Sequence, residues 1–553
     1  MKERITFLLH VGEEGFNPAK LGVGKDSLAV PPIKAAKEHR VAFGLPDLTQ
    51  EVLSVFKQSH ELHIRWAAPN PYTSTPPFVS RISPGLHVYF TPRRDQKVDA
   101  LCPLLQEIFG DELKCTTPSE TFITPPILAE RFSMSASSQY HSLLPSLESL
   151  VTYIQQKLCA SNASCETKAA SLLSADYVDI DFDAISHALV FNAFWSAGPE
   201  EGGYWNEEIS RGQAGSVEVG ILNNEVPIES EELSLAGFLT VLGEDAKPSN
   251  CILILSTEAT LFSFPSRHHP LPSIHHPVHP SYSVSFSQPT GLHPTLYLSF
   301  PRASTQLTAP LETCALHTYL TLPSGFFLDK YQFSDQLFLE SHNLAALHSL
   351  AGATDLEAPD WVVPAWGSIA LFELRDPASA APSTKTETNG SEEDVFDVTI
   401  PLHLRYQPPN RNASGLADAQ LPWPVVFWAC PADEGTKFPT NPFDRTNLGY
   451  ESLFGPRVMF YHVPPAAASE AAGVSAATKH QQLVETVKVP VLDLDKAAHV
   501  EWGTVLAVLV ASAWLLWKLA GVVKTSGLGR VPANAPATAA GSETSQTGEK
   551  KGQ

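Results

Sequence analysis

The chain has few charged residues, and it has only one long apolar run. Of its 553 residues, 17% are charged, and the formal net charge is −22. A protein that neutralises nucleic-acid phosphates needs a basic surface, so this charge argues against a nucleic-acid partner. Proline is abundant, with 46 residues, which favours short strands and turns over long amphipathic helices. The length exceeds what one hydrophobic core usually holds and predicts more than one domain.

Several motifs of enzyme chemistry are missing from the sequence. It contains no CxxC pair, no zinc-type spacing of Cys and His, and no GxSxG nucleophile motif. We therefore identify no catalytic residues and expect no cofactor and no metal. The 7 cysteines are too few for a disulfide scaffold and allow one to three bridges or none.

The one long apolar run lies near the C-terminus, at residues 503–523. It carries a single charge, Lys518, close to one end, and Trp502, Trp514 and Trp517 stand toward its borders. A helix of this length, at about 1.5 Å per residue, matches a bilayer core of about 30 Å. Tryptophans at both borders are typical of membrane interfaces. The segment is therefore predicted to be a transmembrane helix.

The orientation of this helix is less directly indicated. Lys524 and Arg530 follow it, so the positive-inside rule predicts a cytosolic tail at residues 524–553 and a translocated N-terminal bulk. The N-terminal apolar run, Ile5–Val11, is short and has no small-residue cleavage site, so we expect no signal peptide. Either the bulk is translocated without a cleaved signal, or the chain is a tail-anchored protein that faces the cytosol.

Three glycosylation sequons bear on this choice. A chain of this composition would contain roughly two such matches by chance, so they favour a lumenal bulk without proving it. The acceptors would be Asn162, Asn389 and Asn412.

Short apolar runs separated by Pro and Gly predict strands along most of the chain. The best helix candidate before the anchor is Tyr140–Leu158. We predict a mainly β protein with two lumenal antiparallel, sandwich-like domains, minor helix and one C-terminal transmembrane helix. The predicted segments are an N-terminal domain at 1–265, a Pro/His-rich linker at 266–282, a second domain at 283–490, the helix at 503–523 and a disordered tail at 524–553.

One candidate ligand set is a run of alternating aspartates, Asp179, Asp181 and Asp183. In a strand all three face one side, and such carboxylates could hold a divalent cation and a sugar nucleotide in a glycosyltransferase. The solvent face of an antiparallel strand is the simpler interpretation.

A second set consists of histidines in the predicted linker. A proline-rich loop rarely pre-organises metal ligands, so a solvated linker is favoured over a metal site. These residues are His268, His269, His275, His276 and His279.

Three stretches of the C-terminal half resemble the PIG-X family in order and spacing. On the residues alone they are core strands and corners of an antiparallel sandwich. The resemblance spans about residues 291–523, and the N-terminal unit is similar to the extension of the fungal branch. The stretches are LPSGFFLDKY at Leu322–Tyr331, PLHLRYQPP at Pro401–Pro409 and PVVFWAC at Pro424–Cys430.

The resemblance implies a function without chemistry of its own. Members of the family sit in the endoplasmic reticulum membrane with their bulk in the lumen. They are the non-catalytic subunit of the first mannosyltransferase of glycosylphosphatidylinositol (GPI) anchor assembly and stabilise its PIG-M-type catalytic subunit. Fungal members are also linked to the folding or stability of other lumenal proteins.

Two structural hypotheses follow from this resemblance. Cys314 and Cys430 lie in separate motif strands and would pair in the oxidising lumen if those strands are neighbours. The corner at Phe326–Tyr331 or the strand at Pro424–Cys430 would contribute to partner contact, with core packing as the alternative interpretation. The contact candidates are Phe326, Phe327, Asp329, Tyr331, Phe427 and Trp428. The alternative functions are a metal-dependent glycosyltransferase that uses Asp179, Asp181 and Asp183, and a cytosolic tail-anchored adaptor.

Overall fold

The computed structural model of the chain divides into two compact units. One contains residues 1–408 and 416–491, and the other contains residues 409–415 and the chain from Leu492 onward. The structure describes all residues except 11–19, 25, 94–97, 127–136, 160–161, 212–215, 228, 244–259, 272–279, 289, 302–306, 379–382, 387–391, 412–414, 444–447, 467–481 and 527–553.

The N-terminal half of the first unit forms one 12-stranded sheet. Along the main path the order is β12-β11-β10-β1-β3-β8-β7-β4-β5-β6, and β2 and β9 pair with β3. All pairs are antiparallel except β1 with β10. The strands are β1 Lys2–Leu9, β2 Gly22–Val23, β3 Ser27–Gly44, β4 Ser59–Ala67, β5 Gly85–Pro92, β6 Ser138–Ser142, β7 Tyr177–Asp183, β8 Ala188–Trp195, β9 Tyr204–Ser210, β10 Ser216–Glu225, β11 Glu232–Gly243 and β12 Thr260–Pro265.

The C-terminal half contributes a six-stranded sheet, a four-stranded sheet and two strand pairs. The larger sheet has the order β13-β25-β24-β16-β19-β18, the smaller one β14-β15-β21-β20, and the pairs are β17-β22 and β23-β26. The strands are β13 His268–Pro270, β14 Ser283–Phe286, β15 Thr295–Pro301, β16 Ala315–Pro323, β17 Phe326–Phe327, β18 Leu344–Gly352, β19 Gly367–Leu374, β20 Ser383–Thr386, β21 Glu392–Pro401, β22 His403–Leu404, β23 Leu416–Pro422, β24 Val425–Pro431, β25 Val458–Val463 and β26 Val484–Pro490.

Helices are short in the described part of the chain, apart from the last one. Apolar residues of two of these helices, such as Phe56 and Leu105, are buried in the same hydrophobic cluster as the 12-stranded sheet, and Phe56 stacks on Phe182 of β7. The helices are α1 Gln50–Gln58, α2 Leu101–Phe109, α3 Pro118–Thr121, α4 Glu148–Tyr153, α5 Ala163–Ser171, α6 Gln336–Ser341 and α7 Ala497–Ser526.

The two halves of the first unit share one hydrophobic cluster. It contains Ile64 and Val88 of the 12-stranded sheet together with Leu371 and Phe427 of the six-stranded sheet. Hydrogen bonds also cross between the halves: the Trp366 indole N–H donates to the Gln139 carbonyl oxygen at 2.8 Å. Side chains from distant parts of the sequence are therefore brought together where the two sheets meet.

The prediction of a mainly β chain with a C-terminal apolar helix is confirmed. One predicted helix begins later than expected, because Tyr140–Ser142 belongs to β6 and the helical turns begin only at Glu148. Pro145 lies between them, and proline has no N–H for a helix interior. The run CILILS at 251–256, interpreted as a strand, lies outside the described residues.

The first residues of the predicted linker form a buried strand instead of a solvated loop. β13 pairs in parallel with β25, and His268 and His269 are only 1% and 4% exposed. Their rings stack on His462 and Tyr461 of β25, which explains why a polar His pair is buried here. The other three linker histidines lie outside the described residues, and the division into two domains stays a prediction.

The second unit holds the long helix α7. The Leu494 N–H donates to the Asn410 carbonyl oxygen at 2.8 Å, and the Asp493 carboxylate accepts from the Asp495 N–H at 3.0 Å. From Leu494 to Thr525 the mean hydropathy reaches 2.0 and none of the most apolar window is buried. This helix is long and apolar enough to cross a membrane.

Candidate functional site

Two of the three stretches that carry the family resemblance meet in one corner of the fold. Strand β17 pairs with β22 through Phe326–Leu404 and Phe327–His403. The Arg405 backbone N–H then donates to the Gly325 carbonyl oxygen at 2.9 Å. We call residues 322–331 and 401–409, with the loop 353–363 that packs on them, the motif corner.

Arg405 holds the loop of the motif corner in place. Its side chain is 2% exposed, and its guanidinium donates to the carbonyl oxygens of Asp355 at 2.6 Å, Ala358 at 2.7 Å and Ala353 at 3.1 Å. The guanidinium carbon also lies 4.4 Å from the ring centroid of Phe327. A planar group with several donors can tie three carbonyls at once, which explains why arginine suits this position.

The loop held by Arg405 and the residue that follows Arg405 present large side chains to solvent. Trp361 is 59% exposed, Val362 60% and Tyr406 66%. The Asp360 N–H donates to the Tyr406 carbonyl oxygen at 3.0 Å, which joins the two segments that carry them. We call the two aromatic residues, together with the adjacent Val362, the aromatic patch. Aromatic side chains on a rigid surface are frequent anchors of protein interfaces.

Most of the residues predicted to contact a partner are instead in the core. They pack between strands because their side chains lie on inward-facing positions, as in Phe326 against Phe286 and Phe427 against Tyr450. Tyr331 is 67% exposed, and Asp329 accepts a hydrogen bond from the Tyr331 N–H at 2.9 Å. The buried residues are Phe326, Phe327, Phe427 and Trp428.

The aspartates of β7 have three different environments. Asp179 is 3% exposed and faces Arg65 of β4 across the strand pair. The Arg65 Nε and Nη2 atoms each donate to one carboxylate oxygen of Asp179 at 2.6 Å. Arg65 Nη1 also donates to the Ser80 hydroxyl at 3.0 Å. Because both carboxylate oxygens of Asp179 bind a guanidinium, this side chain does not lie on a solvent face and is poorly placed to hold a cation.

Asp181 lies in a small cleft of about 40 Å³ beside this ion pair. The cleft is also lined by Glu38, Arg40 and Tyr177. Burial, and then the neighbouring charge of Asp179, raise the pKa of Asp181 to about 7. The positive charge of Arg40 opposes this shift. The cleft therefore contains a carboxyl group that is partly protonated near neutral pH.

The raised pKa of Asp181 gives a pH-dependent prediction. Because its pKa is above the unfolded value of 3.8, ionisation penalises the folded state, and stability falls as the pH rises toward 7. Asp181→Asn removes the penalty. We compare the free energy of unfolding of the variant with that of wild type at each pH. After discounting for partial exposure, we expect this difference to favour the variant by about 1–2 kcal/mol more at pH 8 than at pH 5. Urea unfolding of the full-length chain in detergent, followed by tryptophan fluorescence, measures this difference; an equal effect at both pH values would contradict it.

Asp183 is used by the turn that follows β7. Its carboxylate accepts from the Ile185 N–H at 2.9 Å and the Ser186 N–H at 3.3 Å. It also lies near His60 and Glu61, where one ligand atom from each residue falls within 4.8 Å of the others. All three of these residues are at the surface, and the hydrogen bonds of Asp183 already explain its position. The three aspartates therefore do not converge on one point.

A buried charge cluster joins β13, β25 and the turn at Tyr450–Leu453. Glu451 accepts from Arg267 Nη1 at 2.9 Å and lies 3.3 Å from His268 Nε2, and His268 Nδ1 lies 2.9 Å from His462 Nε2. Although burial opposes ionisation, hydrogen bonding from His268 and the charge of Arg267 lower the pKa of Glu451 to about 2. Sequence analysis missed Arg65, Arg267 and Glu451, because a partner more than 100 residues away leaves no local pattern.

Six of the seven cysteines form disulfides. Cys314, which directly precedes β16, is joined to Cys430, which lies in the neighbouring strand β24. The other pairs, Cys102–Cys115 and Cys159–Cys165, are local. Cys251 lies outside the described residues. Disulfides of this number are typical of proteins in oxidising compartments.

One of the three sequons lies in the described part of the chain. Asn162 is exposed and begins α5, where its side-chain oxygen accepts from the backbone N–H groups of Ser164 and Cys165 at 3.0 and 3.3 Å. Its amide nitrogen is the atom that a glycan would be attached to. Asn389 and Asn412 lie outside the described residues.

Comparison with known proteins identifies the family. The model of the family described as PIG-X / PBN1 matches residues 289–520. "Protein pbn1" of Emericella nidulans is 47% identical over 96% of this chain and 97% of its own length. The proteins of the same name from Aspergillus oryzae and Neurospora crassa are 46% and 40% identical, over 95% and 97% of this chain and 97% and 98% of their own. Near full-length similarity at this level shows that the chain belongs to the PIG-X / PBN1 family.

Proposed function

We propose that this chain is a non-catalytic subunit that stabilises the catalytic, PIG-M-type subunit of GPI mannosyltransferase I. In this proposal α7 crosses the endoplasmic reticulum membrane once, the β unit lies in the lumen in a type III-like arrangement, and the C-terminus is cytosolic. The chain also aids the folding or stability of other proteins of this compartment. Family membership supports the role, and the three disulfides support an oxidising location.

The observation that carries the proposal is the motif corner. Two family-type stretches hold a loop whose Trp361 and Val362 face solvent, beside the exposed Tyr406 of the second stretch. Exposing such side chains costs solubility, so a rigidly held group of them is best explained by a partner that covers it. A subunit that binds only the folded form of another protein raises that protein's stability by mass action. Anchoring both in one membrane raises their effective concentration.

The experiment is to replace the aromatic patch and follow the catalytic subunit. In fungal cells that lack their own family member, we expect Trp361→Ala with Tyr406→Ala to weaken recovery of the catalytic subunit in detergent pull-downs at least tenfold, which corresponds to about 1.4 kcal/mol. The steady-state amount of the catalytic subunit is expected to fall with it.

The matched control replaces two exposed apolar residues in the segments that follow β7 and β10. Ile185 is 80% exposed and Val226 is 90% exposed. Ile185→Ala with Val226→Ala is expected to leave both readouts at the wild-type level. Equal recovery of the catalytic subunit with the patch variant and with this control would contradict the role of the patch.

The two alternative functions have weaker support. A glycosyltransferase that uses the β7 aspartates would need carboxylates free to hold a cation, yet Asp179 binds Arg65 and Asp183 caps a turn. Replacing Asp179, Asp181 and Asp183 with Asn would abolish turnover of such an enzyme, whereas a stabilising subunit that remained folded would keep its partner. A cytosolic adaptor would place three disulfides in a reducing compartment, where they are rare.

A further inference from the structure

Three polar side chains from neighbouring strands meet on one face of the six-stranded sheet. His317 lies on β16, Glu373 on β19 and His348 on β18, and these strands are adjacent in that order. One nitrogen from each histidine and one carboxylate oxygen all lie within 4.8 Å of one another. We propose that His317, His348 and Glu373 form a Zn²⁺ site.

Small side-chain rotations would bring the three groups to the spacing that a zinc ion requires. Zinc bonds of about 2.0–2.2 Å in tetrahedral geometry place ligand atoms about 3.4 Å apart. His348 Nε2 and Glu373 Oε2 are 2.7 Å apart, so a small outward rotation of either side chain opens the space for the ion. Two imidazoles and one carboxylate are a donor set of zinc sites with three protein ligands, in which water takes the fourth position.

The ring of His317 is fixed by one hydrogen bond and by its packing. Its Nδ1 lies 2.9 Å from the Ala315 carbonyl oxygen, which cannot donate, so Nδ1 carries the proton. Nε2 is then left with a lone pair. Metal-binding histidines commonly donate their second ring N–H to a backbone carbonyl in this way. The ring also packs between Phe427 and Phe454, with centroid distances of 6.0 and 5.1 Å, which restrict its rotation.

A bulge directs His348 toward the other two residues. The register of β18 against β19 shifts between Leu347 and Ser349, which places His348 at the irregularity. Bulges commonly re-aim a side chain at functional sites. His348 is 39% exposed and Glu373 32%, so an ion can enter from solvent. In the ion-free state His348 Nε2 donates its proton to the Glu373 carboxylate. When the ion binds Nε2, a neutral ring carries its proton on Nδ1 instead, and a charged ring loses the Nε2 proton to solvent.

Such an ion would have a structural consequence for the sheet. β18 is the last strand at one edge of the six-stranded sheet, and it carries the irregular register. Zinc would join it to β19 and to β16, two strands inward. The simpler interpretation, a surface ion pair between His348 and Glu373, does not explain why a ring nitrogen of His317 lies within 4.8 Å of both groups.

The test is a zinc titration of the full-length, chelator-treated chain in detergent, with a chromophoric zinc chelator as competitor. We expect one Zn²⁺ per chain, and we expect His348→Ala and Glu373→Gln each to weaken its binding at least about 100-fold. Thermal unfolding without metal shows whether each variant is folded, and Co²⁺ in place of Zn²⁺ gives the visible absorption of a tetrahedral site in wild type only. His348 and Glu373 are both partly exposed, so we expect each variant to remain folded.

The matched control is the histidine-rich segment, which is another possible zinc ligand set. His275→Ala, His276→Ala and His279→Ala together are expected to leave the affinity unchanged. The proposal is overturned if this triple variant loses the ion while His348→Ala keeps it, or if wild type binds no stoichiometric Zn²⁺.

Discussion

Replacing Cys314 and Cys430 with alanine is expected to lower the free energy of unfolding by about 5 kcal/mol. The two residues are separated by 116 positions, so their bridge removes much of the freedom of the unfolded chain. The bridge also joins the start of β16 to the end of β24, two neighbouring strands at the centre of the six-stranded sheet. Urea unfolding of the full-length chain in detergent, followed by tryptophan fluorescence, measures the loss.

The local bridge at Cys159–Cys165 is the matched control. It spans only 6 positions, so the same loop-closure argument gives about 2 kcal/mol for its removal. The expected order is therefore a larger loss for the long bridge than for the short one. Equal losses, or no loss from the long bridge, would show that its contribution is not the constraint on the unfolded chain.

Replacing Arg65 with alanine is expected to cost about 3–5 kcal/mol, because it leaves the Asp179 carboxylate buried without its partner. The same unfolding measurement applies. The double variant Arg65→Met with Asp179→Leu removes both charges and is expected to recover most of the loss, since an apolar pair of similar size needs no hydrogen bonds.

The exposed pair Lys488–Asp418 is the control for this prediction. Both side chains are more than half exposed, so Asp418→Asn is expected to change stability by less than about 1 kcal/mol. A similarly small effect of Arg65→Ala would mean that water or another group replaces Arg65 around Asp179. A double variant as unstable as the single one would show that packing of the guanidinium on Tyr177, and not charge pairing, is the main contribution.

The regular parts of the fold were predictable from local patterns. GLHVYFTP corresponds to β5 and PVVFWAC to β24, because both are short apolar runs bounded by Gly or Pro. The apolar helix α7 was predictable for a similar reason, since a continuous apolar run long enough to span a bilayer can be read from the sequence. These features depend on neighbouring residues, and they can be inferred without knowing the rest of the fold.

The candidate functional surfaces were much less predictable, because they depend on pairings across long distances in the sequence. Arg65 meets Asp179, 114 positions away, and Arg405 holds a loop about 50 positions before it. The motif segments were singled out as contact candidates, yet their large aromatics Phe427 and Trp428 are buried. The exposed Trp361 lies outside every motif, so only the hydrogen bonds of Arg405 and Asp360 indicate its relation to the motif corner.

The location of the β unit decides whether the proposed function is correct. A subunit that covers the lumenal side of a membrane enzyme must have its disulfides, its sequon at Asn162 and its aromatic patch in the lumen. The cytosolic alternative places all three on the other side of the same helix.

Protease protection of intact microsomes, combined with endoglycosidase treatment, tests this location most directly. We expect added protease to remove only the tail after Lys524 and to leave the large part intact. We also expect endoglycosidase to shift the mobility of the wild-type chain, with a smaller shift in Asn162→Gln. Digestion of the large part in sealed microsomes, with no sugar on Asn162, Asn389 or Asn412, would contradict the account.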